Sequence, residues 1–287
     1  MNKFKFQAMK EGAAKAAFTF TALVSILAVA LICVFLFANG IPGMAKIGAW
    51  DFISGEKWKP GQEVYGILPF ILGSIYVTAG ALVVGVPAGL MTALFLSRFA
   101  SKRAAKLLRP AVQLLAGIPS VVYGFFGLVV LVPLVRDVFG GTGSSLLTAS
   151  LLLGMMILPT IITVAESALN AVPSSYYEGA LALGATHEHS VFHVVLPAAK
   201  SGVMAGIILG IGRAIGEATA VMMVAGNRVS MPKGLLKGVR TLTSNIVIEM
   251  GYATDMHREA LIATAVVLFV FILLINVLTS ILKRRNA

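Results

Sequence analysis

Six stretches of this sequence stay apolar for as long as a helix needs to cross a lipid bilayer. They fall at about 16–38, 67–96, 111–135, 144–168, 201–226 and 260–282. A spanning helix takes about 20 apolar residues, because each adds about 1.5 Å against a hydrocarbon layer roughly 30 Å thick. Inside that layer no water satisfies the backbone, and a helix satisfies its own polar groups within one segment. The runs therefore predict an all-α, polytopic membrane bundle of six transmembrane helices. Only 12% of the residues are charged, about half the share of a soluble domain. The second run is long enough to tilt or to hold a break at Pro87.

The charges that remain sit mostly at the ends of these runs. The formal charge of +11 thus reads as topology signals at a membrane surface, not as a nucleic-acid footprint. Lys3, Lys5, Lys10 and Lys15 precede the first run. Arg98, Lys102, Arg103, Lys106 and Arg109 follow the second, and Lys283, Arg284 and Arg285 close the chain. All three groups belong in the cytoplasm by the positive-inside bias, which places both ends inside. The segment 227–259 also carries Arg228, Lys233, Lys237, Arg240 and Arg258. It is longer and holds Glu249, Asp255 and Glu259 as well, so it weighs less and is placed outside. The first run exceeds the roughly 7–15 residues of a signal-peptide core and is expected to be retained. Cys33 is the sole cysteine, which excludes an internal disulfide and a cysteine metal site.

Three units follow. Residues 1–66 hold the inner N-terminal segment, the first span and an outer segment whose Trp50 and Trp58 suit interfacial anchoring. Residues 67–282 form the main transmembrane unit, and 283–287 a basic inner tail. Within 227–259, TLTSNIVIEMGYA reads as a short amphipathic or re-entrant helix, and GGTGSS at 140–145 as the turn between spans three and four.

The inner connection at 170–200, NAVPSSYYEGALALGATHEHSVFHVVLPAAK, is too long for a simple turn. Pro173 ends the fourth span. Ser175 and Glu178 have the spacing of a capping box, giving a helix over about 176–183. Gly184 is a natural stop, since glycine enters left-handed backbone without penalty. Thr186 then caps a second helix to about Val195, with Pro197 closing it. His189 and His193 are four apart, which fits a metal pair but supplies no third ligand.

The fifth run, IILGIGRAIGEATAVMMVAG, keeps Arg213 and Glu217 one helical turn apart. Two such charges at mid-bilayer cost roughly 5–7 kcal/mol on insertion scales, and the eight Leu, Ile and Val residues of 203–224 return only about 2.4–4.8. That side of the span therefore faces protein or water. Two readings stay open: a self-neutralising ion pair within the bundle, or a polar path on which Arg213 attracts an anion. Arginine suits a phosphate-like oxyanion because its planar fork donates two bonds and stays protonated. Glu217 would then hold the guanidinium when the path is empty, and favour a protonated anion by accepting its proton. Gly202, Gly206, Gly210, Ala214 and Ala218 form one small-residue stripe, and Gly212, Gly216 and Ala220 another. Such stripes admit a close helix and leave room beside the charges. In GIPSVVYGFFG, the residues Gly117, Pro119, Ser120 and Tyr123 read as a packed kink, with direct anion contact by Ser120 or Tyr123 as the alternative. Glu166 is expected to be paired near the inner end of span four.

These segments carry a resemblance. Glu178-Gly179-Ala180, three residues, Gly184, nine residues, then Val194-Val195-Leu196-Pro197 is similar to the EAA loop of ABC importer permeases. Gly179 stands for the usual alanine and Val194 for isoleucine. RAIGEATAVMMVAGN at 213–227 and LLAGIPSVVYGFFGL at 114–128 resemble the phosphate branch of that family, and WKPGQEVYGILPFILGS at 58–74 with EMGYATDMHREALIATAVVLFVFILLINVL at 249–278 look more like its PstC than its PstA type. The resemblance implies a type I importer fold in the cell membrane. It implies docking of the elbow residues Glu178, Gly179, Ala180, Gly184, Val194, Leu196 and Pro197 on an ATPase. It also implies phosphate passage by Arg213 and Glu217. The implied partners are a PstA-like second permease, a PstB-like ATPase pair and a PstS-like external phosphate-binding protein. No phosphate loop of the Walker type occurs here, so ATP chemistry would lie on the partner and the chain itself would need no cofactor. A same-fold permease for sulfate or molybdate is the alternative substrate reading. A membrane-embedded enzyme is the other class, and no H-E-x-x-H, paired intramembrane aspartates or G-x-S-x-G supports it.

Overall fold

The computed structural model describes residues 2–285. Met1, Asn286 and Ala287, the last two part of the expected basic tail, lie outside the described residues, as do the side chains of Lys3, Lys5, Lys10 and Lys283–Arg285. Among the described residues the architecture is all-α apart from one two-stranded ribbon. Helix α1 (Asn2–Ile47) is followed by α2 (Ala49–Ser54), strands β1 (Trp58–Lys59) and β2 (Val64–Tyr65), and helix α3 (Leu68–Leu94). At about 1.5 Å per residue the 46 residues of α1 reach roughly 69 Å, far beyond the predicted 16–38. Helix α3 runs through Pro87 without a break and ends in a π-helical turn over Phe95–Phe99.

The third span is displaced from its expected place. Residues 111–135 do not form one helix. Helix α4 (Lys102–Gly117) absorbs the basic connection, and the chain re-enters helix only at α5 (Ser120–Phe126). A π-helical turn over Gly127–Leu131 then joins α5 to α6 (Val132–Phe139). The break has a local cause. Ile118 precedes a proline and sits at φ −69°, ψ 126°, because the ring of Pro119 disfavours helical backbone before it. Ser101 caps α4 by accepting from the Ala104 amide at 3.2 Å. The apolar span is therefore Ser120–Phe139.

Helix α7 (Leu146–Asn170) is the axis of the bundle. Its buried Leu152, Leu153, Met156, Ile157 and Ile161 are at most 1% exposed. Gly140, Gly141 and Gly143 take positive φ in the turn before it, as GGTGSS predicted, and Ser145 caps it. Then follow α8 (Ser174–Ala182), α9 (His187–Ser190), a π-helical turn over Val191–Val195, and α10 (Leu196–Ala198). Helix α11 (Lys200–Gly216), α12 (Thr219–Val224), the outer helix α13 (Leu242–Glu249) and α14 (Asp255–Arg285) complete the chain. The chain axis bends by 70° between His187–Ala198 and Lys200–Gly216.

Close backbone approach holds α7 between α3 and α11. A Cβ on Gly85 would stand 2.7 Å from Ile157 Cδ1. One on Gly202 would stand 2.4 Å from Ala168 Cβ, and ones on Gly206 and Gly210 would press on Val164 and Ile161. The stripe read from the sequence thus faces α7, which matches how small residues let membrane helices pack. Gly212 has open space around it instead. Gly202→Ala should therefore lower the thermal midpoint of the purified protein, by an overpacking cost of about 1–3 kcal/mol. Gly212→Ala should leave it unchanged or raise it, because alanine is the better helix former. Thermal unfolding followed by intrinsic fluorescence distinguishes the two.

Candidate functional site

The two charges of the fifth span do not form a helical ion pair. Helix α11 stops at Gly216, and Glu217 has extended backbone at φ −73°, ψ 119°. Its Oε1 accepts from the Ala220 amide at 3.1 Å, so the carboxylate caps α12. Its backbone oxygen, freed by the break, accepts from Thr243 Oγ1 at 3.1 Å. Among the described residues no Arg213–Glu217 contact falls within salt-bridge distance. This corrects both the ion-pair reading and the expectation that Glu217 holds the guanidinium. Helical spacing was assumed through a residue that in fact ends the helix.

Arg213 is partly buried on the last turn of α11. Its Nη1 donates to Thr160 Oγ1 of α7 at 3.3 Å, its one side-chain hydrogen bond among the described residues. A guanidinium carries five N–H donors, so most of its capacity is unspent. Cβ atoms added at Gly212 or Gly216 would meet nothing within 4 Å. Tyr123 lies on the first turns of α5. Its hydroxyl donates across the Gly117–Pro119 break to Leu115 O at 2.9 Å, adding to the long 3.4 Å bond that this carbonyl accepts from the Ile118 amide. Tyr123 is buried, Ser120 is half-buried at the first turn of α5, and Gly117 borders open space. Tyr123 thus does what a packed kink requires.

The inner elbow also differs in detail. Helix α8 starts at Ser174 without a side-chain cap, so Ser175 and Glu178 do not form the expected capping box. Gly184 does stop it, at φ 89°. Thr186 accepts from the His189 amide at 3.3 Å and caps the second helix. The helix runs on through the π-helical turn to Ala198, one residue past Pro197, and the chain then bends into α11. Tyr177 and His187 join the two arms at 2.7 Å. Val191 and Val195 are fully buried against Leu94, Ala165 and Leu169. In contrast Glu178, Gly179 and Pro197 are exposed, Ala180, Val194 and Leu196 are half-buried, and Leu183 beside Gly184 is 92% exposed. The elbow is anchored by one face and displayed by the other. His189 and His193 stack at 4.1 Å, and no group of three metal-ligating side chains exists among the described residues. Glu166 pairs with Arg109 at 2.7 Å, as expected for a group at the inner end of span four.

Sequence reading missed the most buried ion cluster. Glu249, 6% exposed, accepts from Arg240, from Trp58 Nε1 at 2.8 Å and from His257 Nε2 at 2.8 Å. Arg240 also reaches Asn227 O at 3.2 Å and Asn245 Oδ1 at 3.0 Å. Trp58 is 4% exposed and is no interfacial anchor, whereas Trp50 is 78% exposed. The Trp58 indole needed an acceptor, and Glu249 lies 191 residues away; only folding brings them together. Burial, reinforced by Glu63, raises the pKa of the neighbouring Tyr65 hydroxyl and keeps it neutral. The cluster locks α13 over the break. The Arg240 carbonyl sits where a side chain on Gly73 would be, and the Leu242 amide donates to Ser74 Oγ at 3.0 Å.

Residues 85–287 match the family described as binding-protein-dependent transport system inner membrane component, and the chain belongs to that family. It is 40% identical to the probable ABC transporter permease protein YqgH of Bacillus subtilis, over 91% of this chain and 88% of that one. It is 33% identical to the phosphate transport system permease protein PstC of Pasteurella multocida, over 83% of each. A probable phosphate transport system permease protein PstC of Methanocaldococcus jannaschii is 32% identical, over 86% of this chain and 85% of that one. Its fold is shared with a bacterial alginate ABC transporter solved with its pentasaccharide-bound periplasmic protein (TM-score 0.62, 15% identity, 94% of this chain and 96% of that one). It is shared as well with the MetNI methionine ABC transporter in an inward-facing conformation (TM-score 0.59, 22% identity, 80% of this chain and all of that one). The protein is thus a multi-pass inner-membrane transport component with the fold of type I ABC importer permeases.

Removing the Glu249 carboxylate strands a buried guanidinium, which costs about 3–5 kcal/mol. Glu249→Ala should therefore lower the thermal midpoint and expose the 227–259 segment to protease. Exposed Lys46–Glu259 is a surface pair of little strength, so Lys46→Ala should leave both unchanged.

Proposed function

We propose that this chain is the PstC-type permease subunit of an ATP-driven importer for inorganic phosphate. A PstA-like permease, a PstB-like ATPase pair and a PstS-like external binding protein complete the assembly. Its relatives of that name support the substrate. The observation that carries the reading is Arg213, a permanent cation at bilayer depth bonded to one neutral hydroxyl and flanked by open space. An oxyanion is the ligand such a group lacks, and charge-assisted, bidentate bonds give it strength. Glu217 belongs to the same path in this reading. Its Oε1 is held by the Ala220 amide, and its other oxygen is available to accept a hydrogen bond from the P–O–H of hydrogen phosphate. Sulfate, unprotonated at neutral pH, has none to give.

The path switches sides through the elbow at 174–198. Closure of the ATPase pair pushes on the exposed face around Glu178, Gly179 and Leu183. The buried Val191 and Val195 transmit the push to α3, α7 and the 70° bend into α11. The chain makes no covalent bond itself.

Phosphate uptake by cells whose only copy carries Arg213→Ala tests the path, with assembly followed by co-purification of the ATPase. Uptake should fall at least tenfold, the rough value of one charged hydrogen bond of about 1.5–3 kcal/mol. Wild-type uptake by an assembled Arg213→Ala complex would remove the reading. Glu217→Gln should weaken discrimination against sulfate while still capping α12.

The elbow generates its own test. Gly184 has φ 89°, and a branched residue there costs about 1–2 kcal/mol or more. Gly184→Val should reduce ATPase co-purification several-fold. Gly179→Ala, at a position with open space, should leave it intact.

A further inference from the structure

The partner of Arg213 has an unspent proton. Hydroxyls inside these helices commonly return their proton to the carbonyl one turn back. Thr92 does so to Ala88 O at 2.7 Å, Thr264 to Ala260 O at 2.8 Å and Thr279 to Ile275 O at 2.7 Å. In a low-dielectric span this is the cheapest way to satisfy the group. Among the described residues Thr160 of α7, like Thr163 of the same helix and Thr78 of α3, makes no such bond. Its oxygen accepts from Arg213 Nη1 at 3.3 Å, and among the described residues its own O–H donates to nothing. The residue is half-buried, follows the helix-internal Pro159 and faces α11 at the level of Arg213.

A hydroxyl has one proton to donate and two lone pairs to accept with. One lone pair is taken by a cation, which polarises the O–H and makes it a better donor. Arg213 and Thr160 together therefore present several donors against a single free hydroxyl lone pair, next to the open space beside Gly212 and Gly216. Donors that outnumber acceptors in this way fit a multi-oxygen anion.

We propose that Thr160 contacts the substrate, giving its hydroxyl proton to one oxygen of the oxyanion whose other oxygens Arg213 binds. This rests on the reading of Arg213 as part of the phosphate path. It adds a donor from a second helix, so that the anion is held between α7 and α11. The angle between those helices would then govern its release.

The test uses the assembled importer in proteoliposomes, with external binding protein and labelled inorganic phosphate. Uptake per ATP hydrolysed is measured for Thr160→Val, Thr160→Ser and Arg213→Ala. Valine keeps the shape and removes the hydroxyl; serine keeps the hydroxyl. Thr160→Val should lower uptake per ATP about tenfold with ATPase co-purification unchanged, and Thr160→Ser should stay within about twofold of wild type. Thr160→Ala makes the same deletion with less volume and should behave as valine does, should valine fail to assemble. Unchanged coupling in the hydroxyl-free variants, or equal losses with serine and valine, would overturn the proposal. Arg213→Ala separates the two claims. If it abolishes uptake while Thr160→Val is silent, only the role of Thr160 falls. If Arg213→Ala transports normally, the path reading falls and Thr160 with it.

Discussion

The constraint on which this structure depends is that backbone groups inside a bilayer find partners within the protein. It is felt most where the helices break. At the Gly117–Pro119 break Pro119 has no N–H to give, so the Leu115 carbonyl keeps only a long 3.4 Å bond from the Ile118 amide, and the Tyr123 hydroxyl adds one at 2.9 Å. The Gly216–Ala218 break frees the Glu217 carbonyl and the first amides of α12. Thr243 reaches the carbonyl from the outer helix, and the Glu217 carboxylate takes the Ala220 amide. Each break is thus closed by a side chain from the far side of the interruption or from another element. This makes the breaks fixed features of the bundle.

The second break decides the electrostatics. A continuous helix would have set Arg213 and Glu217 one turn apart as mutual neighbours. Ending α11 at Gly216 turns Glu217 into a cap and leaves Arg213 with the Thr160 hydroxyl. The cost of that uncompensated guanidinium is lessened by its partial exposure and by the open flank of glycines. A guanidinium held this way keeps most of its five N–H donors unspent. The outer cluster around Glu249 steadies the arrangement. It ties α13 to the ribbon through Trp58 and to α14 through His257, and α13 in turn latches the break.

Much of this was legible beforehand because it follows from local chemistry. Three apolar runs, 67–96, 144–168 and 260–282, matched spans closely, since length and hydropathy alone select them. Gly184, the GGTGSS turn and the Thr186 cap followed from backbone preference. The Gly202–Gly210 stripe followed from periodicity. The third span was misplaced for a physical reason as well. Ile118-Pro119 ends a helix regardless of the apolar residues on either side, and hydropathy averages across that stop. The Ser175–Glu178 capping box failed because Pro173 and the packing of the elbow fix where α8 begins. Thr160 carried no signal, since a threonine in an apolar run is ordinary until its partner is seen.

The sequence by itself determined the solvent, the fold class, the family and the presence of two charges, Arg213 and Glu217, in the fifth apolar run. These are properties of composition and short-range pattern, and hydrocarbon penalises any other reading of them. Tertiary structure alone decided what each polar group touches. Glu249 meets Trp58 across 191 residues, Arg213 meets Thr160 across 53, and Glu217 O meets Thr243 across 26. Such pairs cannot be read from spacing, because they are set by where helices cross once every freed backbone group has been satisfied.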